Sequence, residues 1–175
     1  MTEPYTVRRA SPEDAAAIIR LVDDVAAQEE WLGIDRFPLS MEQEVQFLAA
    51  ADSSIYLSLV CTGEAGSVVG VLTASRGTDT RLAHVSRLAL AVSPTHRRHG
   101  IGRHLLDGME GWGRSQGVRR STLSVLASNE AAIALFQSFG FREEGRFTGQ
   151  YRLQHGFVDE IWMVKWLQGE VHAGV

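Results

Sequence analysis

The stretch from Leu88 to Leu106, LALAVSPTHRRHGIGRHLL, restricts the possible folds more than any other part of the chain. An apolar run with strand character breaks at Ser93-Pro94, crosses a short basic loop and enters an amphipathic helix through Gly100-Ile101-Gly102. A helix start leaves about four backbone N–H groups without intrahelical acceptors and carries the positive end of the macrodipole, so it attracts anions. Arg97, Arg98 and Arg103 crowd that same end. Cations there oppose the dipole by a few tenths of a kcal/mol up to about 1, unless an anion sits among them. Gly100 and Gly102 lack the Cβ atoms that would hold a phosphate off the backbone, which is the role expected of them. The pattern is RxxGxG. A Walker loop would need GxxxxGK[ST], and a dinucleotide fingerprint GxGxxG would need glycine where Leu105 stands. A solvated basic helix start with two turn glycines is the plainer alternative.

Around this junction the chain alternates extended and helical signals. Residues 5–9 predict a strand. Ser11-Pro12-Glu13-Asp14 supplies a cap, a proline and a carboxylate for a first helix carrying Ile18, Ile19 and Val22 inward. Ser40 with Gln43 is a second capping box, opening a helix that presents Val45, Phe47 and Leu48. Residues 55–61 and 68–74 predict a hairpin, and 83–92 a third strand beside it. Ile101, Leu105, Leu106, Met109 and Trp112 follow helical spacing, while Gly108, Gly111 and Gly113 predict close packing of that helix on a neighbour. A strand over 118–126, a helix over 129–139 ended by Gly140, and strands over 141–148 and 157–166 joined by a loop complete the order. It predicts a mixed sheet with about four helices on its two faces, an α/β or α+β fold, in a single domain spanning 1–175.

Composition narrows the function classes. The formal net charge of −4 argues against a general nucleic-acid binder. Ten acids lie between Glu13 and Asp52 against Arg20 and Arg36 alone, so that third suits cations while the basic loop suits an anion. No apolar run approaches the roughly 20 residues that span a bilayer, and the first residues lack signal-peptide order, so a cytoplasmic location without membrane partners is expected. Cys61, the only cysteine, reads as a small core residue. His96, His99 and His104 carry no metal on this reading, because the loop has a better use as an anion cradle.

VSPTHRRHGIGRHLL, followed by LSVLASNEAAIALFQSFGFREEGR, resembles the GNAT superfamily of acetyl-CoA-dependent N-acetyltransferases over roughly half the chain. The resemblance implies a splayed sheet of six or seven strands. It also implies acetyl-CoA as cosubstrate, with Leu90 and Val92 holding the pantetheine arm and Arg97, Arg98, Gly100, Gly102 and Arg103 meeting the diphosphate. A free strand edge pairs with pantetheine amides as an added strand would, and a backbone N–H near Val92 could polarise the thioester carbonyl. In other acyl-transfer enzymes such a donor is worth about 3 kcal/mol. Asn129 suits an N-cap, and the resemblance also sets it against the coenzyme arm. Many members carry a tyrosine as proton donor in a pattern like LYxxxGF, whereas this chain has Phe136, which the resemblance still sets against the coenzyme; the acid is left unassigned, with Tyr151 a weak substitute.

For the base, His84 has the right titration range, against the alternative of a half-buried strand histidine. Glu29 or Glu30 could hold the amine as a cation. The expected activity is acetyl transfer to a primary amine of a small molecule, an amino acid or a polyamine, by direct attack in a ternary complex. Acetylation of a protein N-terminus or lysine is the alternative within the class, and an inactive acetyl-CoA sensor the alternative outside it. Self-association as a homodimer stays open.

Overall fold

A computed structural model describes residues 5–28 and 31–168. Seven strands form one sheet: β1 (Thr6–Arg9), β2 (Tyr56–Thr62), β3 (Val68–Arg76), β4 (Val85–Val92), β5 (Arg120–Leu126), β6 (Arg142–Leu153) and β7 (Gly156–Trp166). The spatial order is β1-β2-β3-β4-β5-β7-β6. Every neighbouring pair is antiparallel except β4 with β5. Four helices cover it: α1 (Ala15–Ala26), α2 (Met41–Ala50), α3 (Ile101–Ser115) and α4 (Glu130–Ser138).

The alternation of side chains along a strand divides the core. Leu59, Cys61, Leu72 and Leu88 point to the face covered by α3, meeting Leu105, Leu106 and Met109. Val60, Val71 and Ala91 point to the other face and meet Ile18, Leu21 and Val22 of α1. The helix glycines behave as their spacing predicts at two positions of three. A Cβ at Gly108 would lie 2.8 Å from Leu59 Cδ1 and one at Gly113 2.8 Å from Leu167 Cδ1, while one at Gly111 would meet nothing.

Boundaries shift where local hydrogen bonding decides. Pro12–Asp14 forms a 3-10 turn ahead of α1, with the Asp14 carboxylate accepting from the Ser11 N–H at 2.8 Å and from both Arg8 guanidinium nitrogens at 2.7 and 2.8 Å. β6 runs further than expected, to Leu153, while β7 begins one residue early at Gly156, and the two turn at Gln154-His155; the intended loop is instead a bulged part of β6, with Gly149 at φ +63° donating its N–H to Asp159 Oδ1 at 2.8 Å. β4 starts at Val85, which leaves His84 in the preceding turn.

The feature that makes a site is the short contact between β4 and β5. They pair only over Val85–Arg87 with Arg120–Thr122, a junction pinned by Ser86 Oγ to Ser121 Oγ at 2.8 Å and by Thr122 Oγ1 donating to the Ser86 carbonyl at 3.0 Å. Beyond Arg87 the two strands diverge without a ladder.

Candidate active site

Which edge atoms this divergence frees follows from strand parity. The Gly77 N–H donates to the Val85 carbonyl and the Ser93 N–H to the Val69 carbonyl, so odd-numbered residues of β4 spend their backbone groups on β3. The Arg120 N–H donates to the His84 carbonyl, so even-numbered residues face β5. Leu88, Leu90 and Val92 therefore turn their N–H and C=O groups into the opening, with no ladder partner among the described residues.

At the end of this free edge stands the start of α3. Gly100 is its N-cap in the left-handed conformation, φ +77°, and no side chain caps it. Arg98 is left-handed too, at φ +68°. A cavity of about 570 Å³ lies over both features, lined by Leu90, Val92, Arg97, Arg98, Gly100, Gly102, Arg103 and Asn129. The structure thus brings together eight of the nine residues expected to meet the coenzyme. No acidic side chain pairs with Arg97, Arg98 or Arg103 among the described residues. Arg97 lies 4.0 Å over the Trp31 ring, and its burial lowers its pKa. Unspent amides, guanidinium groups without counter-ions and an apolar floor fit a long ligand with an anionic head.

One expected residue falls elsewhere. Phe136 lines no part of this cavity; it is buried in the core, edge-on to Phe141 at 5.8 Å between ring centroids. Gly102 lines the cavity and also packs closely, since a Cβ there would lie 2.7 Å from Leu135 Cδ2. It lets α3 approach α4, while the open backbone geometry belongs to Gly100.

Asn129 does two structural things at once. Its Oδ1 accepts from the Ala132 N–H at 3.0 Å as the cap of α4, and its Nδ2 donates to the Trp31 carbonyl at 3.1 Å. It thereby anchors the segment between α1 and α2, whose other end is fixed by the Phe37 N–H donating to Asp23 Oδ1 at 2.6 Å.

Under that segment lies a second cavity, of about 410 Å³, between α1, α2 and the sheet. It shares Leu32, Leu90 and Ala91 with the first, so the two meet at the free edge of β4. Its walls are mostly apolar, and Glu44 is the one acid on them, itself only 3% exposed. Sequence reasoning missed Glu44 because it looks like an ordinary first-turn acid; its position directly after the capping Gln43 was the available signal.

The remaining candidates fall elsewhere. His84 lines neither cavity, and its carbonyl accepts from the Arg119 and Arg120 N–H groups at the closed end of the β4–β5 pair. Cys61 is fully buried beneath α3, where burial pushes its thiol pKa up. Tyr151 donates to the buried Glu160 at 3.1 Å, and burial followed by that carboxylate raises its pKa. Glu29 and Glu30 lie outside the described residues. Among the described residues no three His, Cys, Asp or Glu side chains come together as a metal site, and no helix is long and apolar enough to cross a membrane.

The chain belongs to the GNAT acetyltransferase family, whose model matches residues 21–141. A ribosomal protein bS18-alanine N-acetyltransferase of Escherichia coli is 37% identical over 98 residues, covering 54% of this chain and 64% of that protein, a little under two thirds of the relative's length. A GNAT-family acetyltransferase from Streptococcus pneumoniae superposes with a TM-score of 0.84 at 26% identity, over 93% of this chain and 98% of its own. A Salmonella typhimurium protein solved with its cofactor acetyl-CoA has the same fold, with a TM-score of 0.83 at 22% identity over 98% of each chain.

Proposed function

We propose that this protein transfers the acetyl group of acetyl-CoA to the primary amine of a small molecule, by direct attack with both substrates bound. The observation that carries the reading is the coincidence, in one cavity, of an unpaired β4 edge and an uncapped α3 start. On this reading acetyl-CoA supplies an activated thioester. The N–H and C=O groups of Leu90 and Val92 hold the arm straight, and the Val92 N–H lies in reach of a carbonyl placed along that edge. Arg97, Arg98, Arg103 and the first-turn amides of α3 take the diphosphate. Asn129 keeps the Trp31 carbonyl in place above the arm.

The second cavity supports the small-molecule reading, because it joins the first at Leu32, Leu90 and Ala91 and is walled by α1, α2 and the segment between them. A peptide terminus is the alternative favoured by the Escherichia coli relative, whose name specifies a ribosomal-protein alanine. Calorimetric titration with acetyl-CoA, then thiol release with monoamines, polyamines, amino acids and an alanine-initiated peptide, tests both. Binding with turnover of a small amine is expected. Turnover of the peptide alone would replace the acceptor, binding without turnover of any amine would make the protein a sensor, and absence of binding would end the reading.

A further inference from the structure

Glu44 is a buried carboxylate without a partner. It lies on the wall of the 410 Å³ cavity, 3% exposed, and among the described residues no side chain or backbone N–H donates to it. Burial alone raises its pKa, with no neighbouring charge or hydrogen bond contributing. An isolated buried carboxylate is costly, and proteins keep one charged only against a cation. The single cation on the same walls is Arg87, whose guanidinium lies 4.6 Å over the Trp162 ring. Arg87 makes no ion pair with Glu44 among the described residues, and the Glu44 oxygens reach the space of the cavity, so a cation entering it can pair with them.

We propose that Glu44 receives the acceptor's ammonium group and takes its proton, and that the acceptor is a monoamine carried on an apolar or aromatic body. This rests on the donor-site reading above. The rest of the cavity is the body's site: Ile34, Phe37, Phe47, Tyr56 and Val71 leave a second ammonium, or a run of peptide amides, without partners. Its volume lies within the usual range of small-molecule pockets. The cavity that Glu44 lines reaches the junction with the first at Leu90 and Ala91, on β4.

The step balances as follows. One ammonium proton moves to the Glu44 carboxylate, and the freed nitrogen lone pair forms a bond to the thioester carbon. The carbon–sulfur bond breaks with its electron pair leaving on sulfur. A second nitrogen proton, now acidic, passes through water to the thiolate, giving amide and free thiol, and Glu44 returns its proton to solvent.

The test compares the full chain with Glu44→Gln, using 2-phenylethylamine, its far less basic β,β-difluoro analogue, spermidine and an alanine-initiated peptide. Wild type should favour 2-phenylethylamine over spermidine and the peptide by about tenfold or more in kcat/KM. Glu44→Gln should bind acetyl-CoA as wild type does and melt no earlier, yet lose about 100-fold in kcat with 2-phenylethylamine. That deficit should shrink by about tenfold with the difluoro amine, which arrives largely deprotonated. Equal deficits with both amines, a loss below about threefold, or a preference for spermidine or the peptide overturns the proposal. Tyr56→Lys places a tethered ammonium at the cavity rim. It should raise KM for 2-phenylethylamine about tenfold without changing acetyl-CoA affinity, and an unchanged KM also overturns the proposal. Failure of acetyl-CoA to bind wild type would instead remove the donor-site reading on which this one stands.

Discussion

At the scale of single residues, glycines two positions apart in the sequence answer to different constraints. Gly100 is fixed by its positive φ, so Gly100→Ala should cost about 1–2 kcal/mol in a chemical denaturation curve through backbone strain alone. Gly102 is fixed by Leu135, so Gly102→Val should cost about 1–3 kcal/mol by overpacking α3 against α4, lowering the melting temperature before any ligand is added. A Gly102→Val protein that melts like wild type but cannot bind acetyl-CoA would mean the glycine serves the ligand after all. His84 is a third case. Its ring belongs to the turn before β4 and to neither cavity, so His84→Ala should keep kcat within about threefold at pH 7, by the thiol-release assay. A base must lie within hydrogen-bond reach of the proton it takes.

At the scale of elements, the backbone of β4 is divided between two uses, and proline substitution separates them. Ala89 spends its N–H on β3, whereas the Leu90 N–H points into the opening. Ala89→Pro should therefore lose a ladder bond and destabilise the sheet. Leu90→Pro should melt clearly higher than Ala89→Pro while binding acetyl-CoA about tenfold more weakly, as calorimetry would report. The start of α1 shows the same economy with charge. Asp14 accepts from Arg8 and from Ser11, and the Arg8 hydrogen bonds hold its carboxyl below the usual aspartate range despite burial. A lowered carboxyl pKa contributes stability above the ordinary aspartate value and loses it as the pH falls through the lowered one. Asp14→Asn should thus cost about 1 kcal/mol at pH 7, a cost that shrinks as the pH falls below the ordinary aspartate value, by thermal melts across that range. The Ser11 and Ser40 caps were legible because both sit within four residues of their partners; the β6–β7 bulge at Gly149 was not, because its partner Asp159 lies ten residues on.

For the whole molecule, the donor cavity collects Leu90, Val92 and the α3 start from one side of the divergence and Asn129 from the other. A ligand filling it ties the two halves of the sheet, so acetyl-CoA at about a hundredfold its Kd should add about 2.7 kcal/mol, a rise in melting temperature of about 5–10 °C. The strand, loop and helix start of this half are contiguous and their chemistry is local, so a linear reading brings them together. The acceptor half escaped it. Glu44 comes to share a cavity wall with Arg87 and Tyr56 only through the fold, and nothing in a linear reading separates it from the ten other acids of the first third. One consequence reaches into kinetics. Trp31 rests on a donor-site arginine, its carbonyl is moored by the cap of α4, and Leu32 beside it touches both chambers. The ceiling of the amine chamber is therefore hung from the floor of the thioester chamber, so the two substrates should arrive in a fixed sequence, with the amine admitted second.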